Sequence, residues 1–332
     1  MNYSVAIRTL GTSVESLRLE LESLHQQTIL PEKIIIYIAR GYTRPAFTVG
    51  KEEYVEVDKG MVSQRALRYK EISSEYILML DDDVVLAPDS VERLIGQMRD
   101  TGAHCIAVDT FKNHKLKVSA KIRAAVGNLV FPRIDQKWAF KMHPNGSFSY
   151  LNKVKKVAYP SQSAAGPAAL WRKDILLALR FEDEKWLDNL GFAYGDDDLE
   201  FYKLHINSGR LFVSFDCGIE NLDGKSSSAI FQRDSKRFYV RAISNYIRWH
   251  RMQYLPRNGF HRVGASLTFG FKMAWFGIIH LCVSMAYRNT GPLKLFLSGL
   301  VDGRSYTHSA EYKAIPPYMN KKIKESIIGI LG

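Results

Sequence analysis

Residues 76–86 read Tyr-Ile-Leu-Met-Leu-Asp-Asp-Asp-Val-Val-Leu, an uncharged run closed by three consecutive carboxylates. A short apolar run of this kind reads as a strand buried on both faces. If the strand continues through the acids, Asp81 and Asp83 share one face, about 6–7 Å apart at the backbone. Like charges at that spacing repel unless a positive charge lies between them. A hard divalent cation bound by oxygen ligands meets that need. The end of a strand in an α/β sheet is also where ligands bind. A solvated acidic turn is the plainer alternative.

The surrounding pattern sets the fold class. Tyr3–Arg8 reads as a strand, and Thr12-Ser-Val-Glu15 as a capping box that opens a helix with Leu17, Leu21 and Leu24 on one face. Lys33–Ile38 and Glu53–Val57 follow as strands, Val62–Glu71 as a helix, and Asp89–Arg99 as a helix behind Pro88. Ala103–Asp109 is a further strand, Ala164–Leu179 contains a helix, and Leu199–Ser208 is a helix closed by Gly209. Leu211–Phe215 is the last strand. Strands alternating with helices predict an α/β fold, a mostly parallel sheet with helices on both faces. Residues 111–160 break the rhythm with Lys112, Lys115, Lys117, Lys121 and Arg123, and read as an irregular excursion or hairpin beside a cleft.

Charge divides the chain. Residues 225–332 carry 17 Lys/Arg and 4 Asp/Glu, whereas residues 1–224 carry 29 and 30. The expected organisation is a near-neutral catalytic body over 1–224 and a basic helical extension over 225–332. Such asymmetry points to an anionic partner, a membrane surface or nucleic acid. Phe231–Tyr254 reads as one long helix rich in arginine and aromatic residues, ended by Pro256. Val263–Tyr287 is apolar but contains Lys272 and His280. A charge near its middle argues against spanning. Lying in the membrane interface fits better, and packing on the body is the third option. Cys105, Cys217 and Cys282 are widely spaced and read as reduced core residues. The chain enters a strand at once, without a signal peptide, so the expected location is the cytosol or the inner face of its membrane. The histidines show no metal-binding spacing.

A second acidic cluster, Gly195-Asp196-Asp197-Asp198-Leu199-Glu200-Phe201, stands directly ahead of a helix. The helix dipole and capping account for one or two of these acids. Two separated acidic clusters in one α/β sheet suggest a metal site for a charged leaving group and a general base.

Together these segments resemble family 2 glycosyltransferases, inverting enzymes of the GT-A fold. The resemblance rests on Lys59-Gly-Met-Val-Ser-Gln-Arg65, the Leu80-Asp-Asp-Asp-Val84 strand end, Gly166-Pro-Ala-Ala-Leu-Trp-Arg172, Phe181-Glu-Asp-Glu184 and Asp197-Asp-Leu-Glu-Phe201. Gly299-Leu-Val-Asp-Gly303 is similar to a tail of rhamnosyltransferase-like members. The resemblance implies a Mg²⁺ or Mn²⁺ site at Asp81 and Asp83, and donor contacts from Thr9, Arg65, Asp81 and Asp82. It implies a catalytic carboxylate at Asp198 with Asp197 as its partner, the roles exchanging if the register slips by one. It further implies a nucleotide-diphosphate sugar as donor and a saccharide or lipid-linked acceptor, in the synthesis of a bacterial surface polysaccharide.

Two departures stand out. Ile38, Ala39, Arg40 and Gly41 occupy positions where members often carry acids that read the nucleotide base, so donors other than uridine stay open. Asn221 takes the place of a histidine metal ligand, with Glu220 and Asp223 beside it. Nucleic-acid binding through 231–254 leaves both acidic clusters unexplained, and they would repel phosphate. Nucleotidyl transfer wants a Gly-rich, Lys-bearing loop after the first strand, where Leu10-Gly-Thr-Ser13 offers one glycine and no lysine.

Overall fold

A computed structural model describes residues 1–109, 135–151, 153–222 and 234–330. The basic excursion at 112–123, Asp223 and the start of the expected 231–254 helix lie outside the described residues. The strands are β1 (Tyr3–Thr9), β2 (Ile34–Ala39), β3 (Glu53–Val57), β4 (Tyr76–Asp81), β5 (Val84–Leu86), β6 (Cys105–Val108), β7 (Phe140–Met142), β8 (Phe148–Tyr150), β9 (Ala158–Ser161), β10 (Ala168–Arg172), β11 (Leu211–Ser214) and β12 (Ile219–Asn221). The helices are α1 (Val14–His25), α2 (Ser90–Thr101), α3 (Lys173–Ala178), α4 (Asp196–Ile206), α5 (Arg237–Trp249), α6 (Gly259–Ala286), α7 (Gly291–His308), α8 (Ala310–Ala314) and α9 (Lys321–Gly329). A 3₁₀ helix spans Phe181–Leu190, and a π turn at His250–Tyr254 continues α5.

Eight strands form one sheet in the order β3-β2-β1-β4-β10-β6-β11-β9. β3, β2, β1 and β4 run parallel, as do β6 and β11, whereas β10 and β9 pair antiparallel with their neighbours. The β2 run Ile-Ile-Ile-Tyr-Ile-Ala is buried throughout, as a strand covered on both faces must be. Two buried clusters flank the sheet. One holds Leu17, Leu21 and Leu24 of α1 with Val91, Leu94 and Met98 of α2, and the other holds Trp171, Phe201 and Leu204.

Local chemistry departs from expectation at three turns. Val62–Glu71 does not make a helix. Gly60 sits at φ +152, Asp188 captures the Val62 and Ser63 amides at 3.0 and 2.9 Å, and Tyr69 at φ 47 would stop a helix in any case. Ser208, at φ 72, takes the left-handed position after α4 that was expected of Gly209. No capping box forms ahead of α1. Ser13 is the N-cap residue and makes no side-chain cap bond, while Glu15 pairs with Arg18 at 2.5 Å.

The basic tail is built into the body. Ile243, Ile247 and Met252 share a buried cluster with Phe181, Trp186, Leu199 and Tyr202. Arg251 donates from Nε and Nη2 to Glu184 at 2.7 and 2.6 Å, and Tyr318 Oη bonds the Leu199 carbonyl at 2.5 Å. Gly299 and Gly303 are where α7 crosses α5. A Cβ at Gly299 would lie 2.9 Å from Ala242 Cβ, and one at Gly303 would lie 2.9 Å from Tyr246 Cβ. Only hydrogen at these two positions permits so close an approach.

Candidate active site

The C-terminal ends of β1 and β4 and the start of α4 converge on one group of charges. Arg8 and Asp81 are register partners on β1 and β4, and Arg8 Nε donates to Asp81 Oδ1 at 2.5 Å. Burial alone would raise the Asp81 carboxyl. The charge and hydrogen bond of Arg8, with Arg65 beyond, outweigh it and hold the carboxyl below its usual range. β4 stops at Asp81, so Asp82 and Asp83 lie in the turn before β5, and the strand alternation expected to align Asp81 with Asp83 does not extend that far. Asp82 accepts a short hydrogen bond from Thr9 Oγ1, which ties the turn to the end of β1.

Arg65 is the hub. It is 3% exposed and reaches Asp197, Glu200 (2.9 Å) and Asp196 (3.5 Å), while Nη2 donates to the Gly166 carbonyl at 3.2 Å. Its neighbour Gln64 donates to the Thr9 and Tyr37 carbonyls and clasps the ends of β1 and β2. Gly166 is required here, because a Cβ would run into Asp197 and Arg65. Beneath the hub lies a cavity of about 10 Å³ lined by Arg8, Arg65, Asp81 and Glu200, close to the size one water needs. The buried Glu200 Oε1 makes no hydrogen bond and is a ready partner for such a water.

The three acids opening α4 have different fates. Asp196 is buried and pairs with Arg8 and Arg65. Asp198 accepts from Arg248 of α5 at 2.9 Å and from Ser163 at 3.1 Å. Asp197 stays one-third exposed and accepts from the Gly166 amide at 3.1 Å. Burial raises its carboxyl, Arg65 opposes, and Asp196 adds to the rise, with the outcome a value of about 7. The structure thus gathers Thr9, Arg65, Asp81, Asp82, Asp197 and Asp198 in one region. Sequence reasoning assigns no role to Arg8, Ser163 or Arg248. A signal existed for Arg8, an arginine in an otherwise apolar buried strand. Arg248 comes from a segment read as an appendage and has no local signal.

The metal ligands expected at Asp81, Asp83 and Asn221 divide. Asp81 is engaged by Arg8. Asp83 remains at the rim, and its carbonyl accepts from the Leu222 amide at 2.8 Å, while Asn221 of β12 stands opposite Val84 of β5. One carboxylate and one amide oxygen are hard donors. They fit Mg²⁺ or Mn²⁺ that fills its remaining positions with diphosphate oxygens and water. They do not make a protein-only cage, and among the described residues no group of three or more His, Cys, Asp or Glu converges as a metal site.

The model of the glycosyl transferase family 2 matches residues 55–159 of the chain. The fold is similar to that of S. aureus TarS 1-349 in complex with UDP-GlcNAc, with a TM-score of 0.52 at 11% identity, covering 100% of this chain and 92% of that one. A second S. aureus TarS structure matches with a TM-score of 0.44 at 12% identity over 81% of this chain, which spans 43% of that chain. No curated protein matches in sequence.

Proposed function

We propose that the chain transfers a sugar from a nucleoside-diphosphate donor to a hydroxyl of a saccharide or lipid-linked acceptor, with inversion, in the synthesis of a surface polysaccharide. The observation that carries this reading is Asp197. It is the most exposed carboxylate of the three opening α4, at one-third, the Gly166 amide orients it at 3.1 Å, and burial raises its proton affinity. A base tuned close to the working pH accepts a proton most usefully. Asp197 takes the acceptor hydroxyl proton as that oxygen attacks the anomeric carbon, and the glycosidic bond to the diphosphate breaks on the opposite side. Both carboxylates meet an arginine, but Asp198, the base expected from the helix register, is the less exposed and has both oxygens engaged, by Arg248 at 2.9 Å and Ser163 at 3.1 Å, so a positioning role suits it better. Arg8 and Arg65 lie where a diphosphate gains charge. A divalent cation held by Asp83 and Asn221 would neutralise more of that charge when bound. The complex of S. aureus TarS 1-349 with UDP-GlcNAc supports a nucleotide-sugar donor.

The same reading places the enzyme on an anionic membrane face. α6 is 28 residues long, about 42 Å, and exposes Phe260, Val263, Leu267, Phe271, Ile278, Leu281 and Met285 along one stripe. Of its two basic residues, Arg262 bonds the Arg257 carbonyl at 2.7 Å near the helix start and Lys272 turns inward to the Asn145 carbonyl at 3.3 Å. Residues 235–301 contain ten Lys/Arg and no Asp or Glu, and each basic group near a lipid surface contributes about 1 kcal/mol.

The test pairs binding with turnover. Nucleoside diphosphates with Mn²⁺ are expected to raise the melting temperature of wild type. Asp197→Asn keeps that shift and loses transfer by at least about 10²-fold, the usual scale of general-base loss. Asp198→Asn retains more activity than Asp197→Asn. If Asp198→Asn alone abolishes transfer, the assignment of the base is wrong.

A further inference from the structure

We infer that a groove on the far side of the 58–63 turn is a subsite for a neutral oligosaccharide, the part of the acceptor remote from the reacting hydroxyl. This inference rests on the transferase reading above. The groove has a volume of about 410 Å³, within the range of small-molecule sites. Its walls are the 58–63 turn, the 3₁₀ helix Phe181–Leu190, and the stretch from Tyr306 to Ile315 in the tail. Body and tail therefore build it jointly.

The turn is shared with the catalytic cluster. On the groove side Asp188 holds the Val62 amide, the Ser63 amide and the Ser63 hydroxyl at 3.0, 2.9 and 2.8 Å. On the other side the Met61 carbonyl accepts from Arg8 Nη1 at 3.4 Å, and Arg65 meets Asp197. The 58–63 turn therefore stands between the catalytic cluster and the groove.

The lining chemistry selects the ligand. Half-buried Tyr306 gives the groove its accessible aromatic surface, backed by the buried Trp186 with ring centroids 6.5 Å apart. The electron-rich faces of such rings suit the C–H faces of sugar rings. Hydroxyl groups both donate and accept, and the groove offers both functions. Lys185 and Asn189 are exposed donors, while Asp58 and Glu311 are acceptors. Asp183 lines it too, and its Oδ2 is buried without a hydrogen-bond partner, 3.7 Å from Lys203 Nζ. Glu182 is paired with Arg68 at 2.8 Å on its outer side. Carboxylates still outnumber ammonium groups in the lining five to two, which disfavours phosphate or uronate chains. A simple cation site would not carry two lysines.

The experiment uses the full chain on an immobilised panel of neutral, amino-sugar and uronate oligosaccharides, with spermine as a competitor, beside nucleoside-diphosphate thermal shifts on the same samples. Neutral oligosaccharides of three or more residues are expected to be retained and uronates not. The exposed double substitution Lys185→Ala/Asn189→Ala lowers retention at least tenfold and leaves the melting temperature and the nucleotide shift unchanged. Asp58→Asn is a second, independent variant with the same direction. Retention of no neutral glycan, retention abolished by spermine, or undiminished retention by both variants overturns the subsite. A nucleotide shift without glycan retention sinks the groove and spares the transferase. Loss of the nucleotide shift sinks the transferase reading itself.

Discussion

Replacing Arg251 by methionine tests whether the basic tail is part of the fold. Glu184 is fully buried and accepts from Arg251 Nε and Nη2, from Trp186 Nε1 at 2.8 Å and from Lys203 Nζ at 3.2 Å. Burial pushes its carboxyl up, but Arg251 and Lys203 more than reverse this and bring it from 4.5 to about 2. That difference corresponds to roughly 3 kcal/mol of favourable interaction. Removing one partner of a buried pair costs about 3–5 kcal/mol. Lys203 still faces Glu184 in the variant, so the expected loss lies at the lower end, about 3 kcal/mol. The sign with pH is fixed by the depressed value. The contribution is present above the unfolded value of 4.5 and is lost as pH falls toward about 2. Urea unfolding followed by far-UV circular dichroism at pH 7, 5 and 3 measures both effects. Arg251→Met is expected to unfold as one cooperative unit with a lowered midpoint and a flatter acid limb. Glu184→Gln/Arg251→Met restores part of the loss, because the under-paired carboxylate is gone while the buried Lys203 keeps Asp183 as a partner at 3.7 Å. A cost below about 1 kcal/mol, in the range of exposed ion pairs, or a separate early transition of the tail, would refute the reasoning.

Gly299→Leu is expected to lower stability by about 1–3 kcal/mol through overpacking at the α5–α7 crossing, read by the same melts. Glu20 in α1 is fully buried, and its carboxyl oxygens make no well-formed hydrogen bond. Burial, then Asp82, Asp81 and Asp83, push its carboxyl well above the usual range, the Val84 amide opposing weakly. A raised value means that its stabilising protonation is complete below the unfolded value and lost as pH rises. Glu20→Met is therefore expected to stabilise by about 1–3 kcal/mol, more at pH 8 than at pH 5. The exposed stripe of α6 has its own assay. Leu267→Glu/Phe271→Glu should release the protein from anionic vesicles in flotation while leaving its melting temperature unchanged, and undiminished flotation would argue against interfacial docking.

Most of the strand and helix pattern was legible because it is written in short-range periodicity. The β2 run and the Leu17, Leu21, Leu24 spacing state their own burial. The Asp triad announced a strand end, and its motif context announced the family. The helix expected at 62–71 failed because Tyr69 takes φ 47, its hydroxyl bonding the Arg65 carbonyl at 2.7 Å, a conformation no helix interior admits. How closely the helical tail packs on the body was likewise hidden from the sequence. Net charge was counted without knowing that Arg248 and Arg251 face Asp198 and Glu184.

The chain by itself determined the α/β class, the family resemblance and the two acidic clusters, since these depend on residues close together in sequence. Which carboxylate keeps an exposed edge, which arginine meets each, and where a groove opens were decided by the tertiary structure. A carboxyl group's proton affinity and a cavity's walls are set by burial and by charges from distant segments. Asp197 and Asp198 are adjacent in sequence, yet they differ because Arg65 and Arg248 approach them from opposite ends of the chain.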